Sequence, residues 1–63
     1  MDTGQAVRYR GKPVVFGERH VDPGALGEII AVHRLQEEWF AVKWEGMTRP
    51  TFHLQRELEP IQA

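Results

Sequence analysis

Three histidines, His20, His33 and His53, are the residues of this chain best suited to metal or proton chemistry. Imidazole ligates metals and exchanges protons near neutral pH. None of the three stands two or four residues from another, and the chain has no cysteine to complete a coordination sphere. The spacing therefore gives no reason to expect a metal. Nucleophilic chemistry is equally poorly supplied. The chain lacks serine as well as cysteine, and its threonines are Thr3, Thr48 and Thr51. An activated nucleophile needs a base and an orienting group converging on it. The carboxylates cluster as Glu37–Glu38, in a predicted hairpin loop where solvation explains them, and as Glu57 and Glu59, too near the C-terminus to form a cleft unaided. The expectation is a non-enzymatic protein without a cofactor.

One constellation stands above this background. If residues 39–45 form a strand, Trp39 and Lys43 share its outward side. Arg49, Thr51 and His53 are then expected on the outward side of the partner strand, with Arg8 and Arg10 on the first strand of the sheet. An exposed Trp among cations can stack on a base or anchor a protein contact. The candidate binding residues are therefore Trp39, Lys43, Arg49, His53, Arg8 and Arg10. Glu37, Glu38 and Glu45 flank the Trp, and an acidic rim repels phosphate. A protein partner is expected ahead of nucleic acid, and self-association through the same face belongs to this reading. The alternative is RNA or DNA binding, which would add Arg19 and His20 to the surface.

These side chains must be positioned by short strands. Gln5 to Arg10 alternates, with Val7 and Tyr9 on one side and the two arginines on the other. Val14 to Phe16 is a second extended piece, and Gly17 to Gly24 reads as a loop whose Pro23-Gly24 suits a type II turn. Leu26 to Arg34 is rich in β-branched residues and predicts a strand. Leu35 to Glu38 connects it to the strand Trp39 to Glu45, whose core side is Phe40, Val42 and Trp44. Gly46 opens a turn, and Thr51 to Leu54 returns with Phe52 and Leu54 expected inward. Gln55 to Glu57 suits one 3₁₀ turn, and Leu58 to Ile61 a last strand. Five or six short strands with regular turns predict an all-β barrel or sandwich.

The totals agree with one small domain. Sixty-three residues bury a modest core, and without disulfides such a chain leans on aromatic packing or a second subunit. A formal net charge of −1 disfavours a non-specific nucleic-acid coat protein. No apolar run exceeds the length of Ile29 to Val32, far too short to span a bilayer, and Met1-Asp2-Thr3-Gly4 does not begin a signal peptide, so a cytoplasmic protein is expected. Its size and composition suit a bacterial, plasmid or phage accessory protein.

Gly24-x-x-Gly27-x-Ile29-x-x-Val32, a loop, Val42-x-Trp44, and a short turn before Leu58-Glu59-Pro60-Ile61 resemble the SH3-like barrels of the KOW and Tudor type. The resemblance spans about residues 5 to 61. It implies a small barrel with a 3₁₀ turn before its last strand, binding RNA, DNA or proteins of transcription and translation. A Tudor-like aromatic cage would have to come from Tyr9, Phe16 or Trp39. A weaker resemblance is to the plasmid-borne type II dihydrofolate reductases, through Gly4-x-x-Val7-Arg8, Gly27-Glu28-Ile29, Phe40-Ala41-Val42 and the closing Leu58 to Ile61. That likeness implies a tetrameric, nicotinamide-dependent enzyme. The Val-Gln-Ile-Tyr motif of its pore is not matched by Thr51-Phe52-His53-Leu54, which lacks the Gln and Tyr that contact substrate and cofactor.

Overall fold

The structure, a computed structural model, describes residues 1–17, 19–34 and 38–61, with the side chains of Phe16 and Arg19 outside the description. The described residues are all-β: β1 (Ala6–Tyr9), β2 (Val14–Phe16), β3 (Arg19–Val21), β4 (Leu26–Arg34), β5 (Glu38–Trp44), β6 (Thr51–Leu54) and β7 (Leu58–Pro60), with a 3₁₀ turn at Gln55–Glu57. Five strands form one antiparallel sheet in the order β6-β5-β4-β1-β7, and β2 pairs with β3 in a separate two-stranded ladder. These ladders do not close into a continuous barrel among the described residues. No described helix is long and apolar enough to cross a membrane.

Local chemistry accounts for most element boundaries. The turn between β3 and β4 is closed by the Ala25 amide donating to the Asp22 carbonyl at 3.0 Å. Pro23 occupies its second position and Gly24, at φ 95°, its third, which is the type II pattern. Gly27 is required for a different reason. A Cβ there would lie 2.8 Å from the Lys43 carbonyl oxygen and 2.8 Å from the Trp44 ring. The missing side chain lets β4 and the indole pack in contact.

The core is Val7, Tyr9, Val21, Ile29, Phe40, Val42, Trp44 and Leu58. Trp44 sits at its centre, edge-on to Tyr9 at 5.7 Å and to His53 at 5.4 Å between ring centroids. Gly17 to Gly24, expected to be loop throughout, contains β3, because Val21 is fully buried and Arg19–Val21 pairs with β2. The inward and outward sides of β6 are the reverse of those expected. Thr51 and His53 are buried at 3% and 1% exposure, whereas Phe52 is 51% exposed. Register decides this, since opposite residues in an antiparallel pair share a face. Thr51 lies opposite Val42 and His53 opposite Phe40, both core residues.

Candidate functional site

The same register defines the outer face of the sheet. One row across β4, β5 and β6 is His33, Trp39 and Leu54, and the next is Ala31, Ala41 and Phe52. Between Ile29 and Ala31 the β4–β5 register shifts, and Ile30 is left exposed at this bulge. Ala41 is only 3% exposed although it points outward. Its small side chain, together with that of Ala31, allows Phe52 to reach across β5 to His33, with ring centroids 5.5 Å apart. Trp39, 37% exposed, is the diagonal neighbour of Phe52 on the adjacent strand. Trp39, Phe52 and His33 thus form one aromatic patch at the β6 side of the sheet.

The charged residues expected beside Trp39 lie elsewhere. Arg8 pairs with Leu26, while Trp39 pairs with His33, seven positions away along β4. At about 3.3 Å per residue the two are roughly 20 Å apart. Arg8 instead faces Glu59 at 3.7 Å, in an exposed ion pair. The Arg10 guanidinium donates from Nε to the Arg56 carbonyl at 2.9 Å, which ties it to the 3₁₀ turn. Arg49 is exposed in the turn before β6. Lys43 is exposed and opposite Glu28. There, Ala6, Leu26, Glu28, Ile30, Lys43 and Ile61 help line an open groove of about 640 Å³. Of the six expected binding residues, Trp39, Lys43, Arg8, Arg10 and Arg49 are exposed, without gathering into one site. The Arg19 side chain of the alternative surface lies outside the description, and His20 is exposed on β3.

The outward placement of His53 is corrected by the structure: the ring is inside, in a hydrogen-bonded chain. Trp44 Nε1 donates to Thr51 Oγ1 at 2.7 Å, and Thr51 Oγ1 lies 2.6 Å from His53 Nε2. The indole N–H can only donate, so the threonine hydroxyl accepts from it, and the hydroxyl and His53 Nε2 share a second hydrogen bond whose direction follows the imidazole tautomer. On the other side of the ring, Nδ1 faces Glu57 Oε1 at 3.8 Å. Glu57 Oε1 also accepts from the Leu54 amide at 3.0 Å. No buried side-chain polar atom among the described residues lacks a partner. Burial lowers the His53 pKa from its usual value, against the weaker upward pull of Glu57. Burial raises that of Tyr9, with the nearby negative charge of Glu57 adding to the effect.

Hydroxyl, imidazole and carboxylate stand here in the order of a nucleophile triad. Thr51 is buried beneath the indole, however, and neither Thr51 nor His53 lines the groove. The chain of bonds holds β6 to the core. Tyr9 is likewise enclosed, at 1% exposure, with its hydroxyl donating to the Lys12 carbonyl at 2.6 Å. It is therefore unavailable to an aromatic cage. The residues that reading the sequence missed are Phe52 and His33. The signal for Phe52 was the parity of β6, which depends on how the connection from Trp44 to Thr51 closes, and that for His33 was its position opposite Trp39 in β4. No protein-family model, curated protein or solved structure matches this chain.

Proposed function

We propose that this chain is a small non-enzymatic binding module of SH3-like architecture, contacting a protein partner through the outer face of its sheet. In keeping with the KOW and Tudor resemblance, the partner belongs to transcription or another nucleic-acid transaction. The observation that carries this reading is the contiguous Trp39–Phe52–His33 patch, with a half-exposed Trp and Phe presented over Ala41. Aromatic anchors of this kind dominate the energetics of protein contacts. Phosphate recognition instead needs gathered cations, and here Arg8 faces Glu59 while Lys43 lies opposite Glu28. The 3₁₀ turn before the last strand and the long, bulged β4 support the SH3-like architecture.

The test is affinity capture by the immobilised chain in the presence of nuclease, comparing the parent with Trp39→Ala. Removing the anchor is expected to weaken partner binding by about 2 kcal/mol, roughly thirtyfold, in a variant that remains folded. Equal capture by both would remove Trp39 from the contact. Loss of capture on nuclease treatment, with steep salt dependence, would favour nucleic acid as the ligand.

A further inference from the structure

The two open edges of the five-stranded sheet differ in what they offer to another strand. Along a strand, the backbone N–H and C=O of successive residues point alternately to the two sides. On the β7 side, Ile61 N–H donates to the Ala6 carbonyl and Arg10 N–H to the Glu57 carbonyl, each at 2.9 Å. Residues 57, 59 and 61 therefore face β1, and Leu58 and Pro60 face outward. The Leu58 amide is already bonded to the Gln55 carbonyl, and proline has no N–H. Among the described residues this edge offers no donor.

The β6 edge offers one. The Leu54 amide is taken by Glu57 Oε1, so Leu54 points away from β5, and so does Phe52 two residues earlier. Thr51 and His53, opposite Val42 and Phe40, carry the ladder to β5. Leu54 also heads the 3₁₀ turn, and the carbonyl at such a position accepts the first bond of the turn. Pro50, on the same side, has no N–H to give. Phe52 thus keeps an outward N–H and C=O, with no backbone bond to another element outside the ladder among the described residues.

We propose that a second copy of this chain adds to this edge, β6 antiparallel to β6, about a two-fold axis at Phe52. One donor and one acceptor on the same residue are self-complementary under that operation: Phe52 N–H donates to the carbonyl of the partner's Phe52, and the reverse. Sliding the register by two residues places Phe52 opposite Leu54, whose backbone is already engaged, or opposite Pro50, which cannot donate. Only the Phe52-to-Phe52 register bonds both ways. It sets the two Phe52 rings side by side on the outer face, with Cβ atoms about 5 Å apart. The two aromatic patches become one strip flanked by Trp39 from each copy.

Two backbone hydrogen bonds and a four-residue strand make a small interface, below the roughly 1,200 Å² of lasting complexes, so association is weak and concentration-dependent. Because the β7 edge has no donor among the described residues, assembly is expected to stop at two copies and not run on into a fibre. The pairing uses the backbone of β6, leaves Trp39 accessible, and does not depend on the proposed foreign partner.

The experiment is sedimentation velocity of the full chain over a wide concentration range, with Phe52→Thr and Phe52→Pro. The parent is expected to move from its 7.3 kDa monomer to a dimer as concentration rises. Phe52→Thr retains the amide and is expected still to associate. Phe52→Pro loses the ring, as Phe52→Thr does, and in addition the outward-pointing N–H, a loss tolerable on an edge strand; it is expected to remain monomeric with the parent's circular dichroism. A parent that stays monomeric throughout overturns the proposal, as does a folded Phe52→Pro that dimerises like the parent. If Phe52→Pro does not fold, amide exchange in the parent decides. Slowing of the Phe52 amide with rising concentration supports the pairing, and a rate independent of concentration overturns it. Trp39→Ala is expected to dimerise normally, which keeps this result separate from any loss of foreign-partner capture.

Discussion

Replacing Thr51 by Val tests the buried polar chain with almost no change of shape. The substitution exchanges a hydroxyl for a methyl inside the core, at a site only 3% exposed. Two groups lose their partner at once: the Trp44 indole N–H, now 2.7 Å from Oγ1, and His53 Nε2, at 2.6 Å. A buried polar group left unsatisfied costs about 1–3 kcal/mol. The pair therefore predicts a loss of about 2–5 kcal/mol, offset slightly by the added apolar methyl. For a domain of this size each kcal/mol is worth about 4–8 °C of melting temperature. Thermal and urea unfolding followed by circular dichroism at pH 7.5 are expected to show a drop of at least about 10 °C. A double-mutant cycle sharpens the argument. In Trp44→Phe the donor is already gone, so adding Thr51→Val is expected to cost markedly less than in the parent. A Thr51→Val protein within about 0.5 kcal/mol of the parent, or strict additivity in the cycle, would refute the claim that this chain of bonds anchors β6.

Three further outcomes follow from the same geometry. His53 is held neutral by burial, so its folded pKa lies below the unfolded value of about 6.5. Above that value both states are neutral; as pH falls through it the unfolded chain binds a proton that the folded chain refuses, and stability is lost on acidification. Melting temperature is expected to fall between pH 7.5 and 5.5 in the parent and to fall less in His53→Gln; equal slopes would contradict the assignment. Gly27→Ala forces a Cβ within 2.8 Å of backbone oxygen and indole carbon, and is expected to cost about 1–3 kcal/mol in urea titration. Phe40→Ala, which empties a fully buried site, should cost about 3–5 kcal/mol, whereas Phe52→Ala should cost much less because half of its ring is already in solvent. If the two proteins melt alike, the faces of β6 are assigned wrongly.

The extended segments were largely legible because each carries its own signal. Leu26 to Arg34 is β-branched and bounded by a Pro-Gly turn, and β4 has those bounds. The Gln55–Glu57 turn was legible from its position ahead of Leu58. β3 was hidden because Arg-His-Val has no alternation of its own and is placed only by pairing with β2. The faces of β6 were hidden for a related reason. Hydrophobicity alone puts Phe52 inside, but pairing puts Thr51 opposite Val42 and buries the polar residues. Their burial is affordable only because Trp44 and Glu57 supply partners, which are seven and four residues away from Thr51 and His53 respectively. The candidate surface inherited this error. Trp39 and Lys43 were placed outward correctly, while Phe52 and His33, which complete the aromatic patch, required the register of three strands.

The pairing of β1 with β7 also bears on how the domain comes into being. Gln5 and Ile61 are hydrogen-bonded although 56 residues apart, and β1 is flanked by β4 and β7. During synthesis the first strand emerges long before the last, so its ladder stays half-built until nearly all of the domain has left the ribosome. Closure over so long a loop is entropically slow, which predicts folding in milliseconds to seconds rather than microseconds. Because β1 and β7 lie side by side, a short linker joining Ile61 to Gln5, with the chain opened in the Gly46–Pro50 turn, is expected to give a circular permutant that keeps the same ladders.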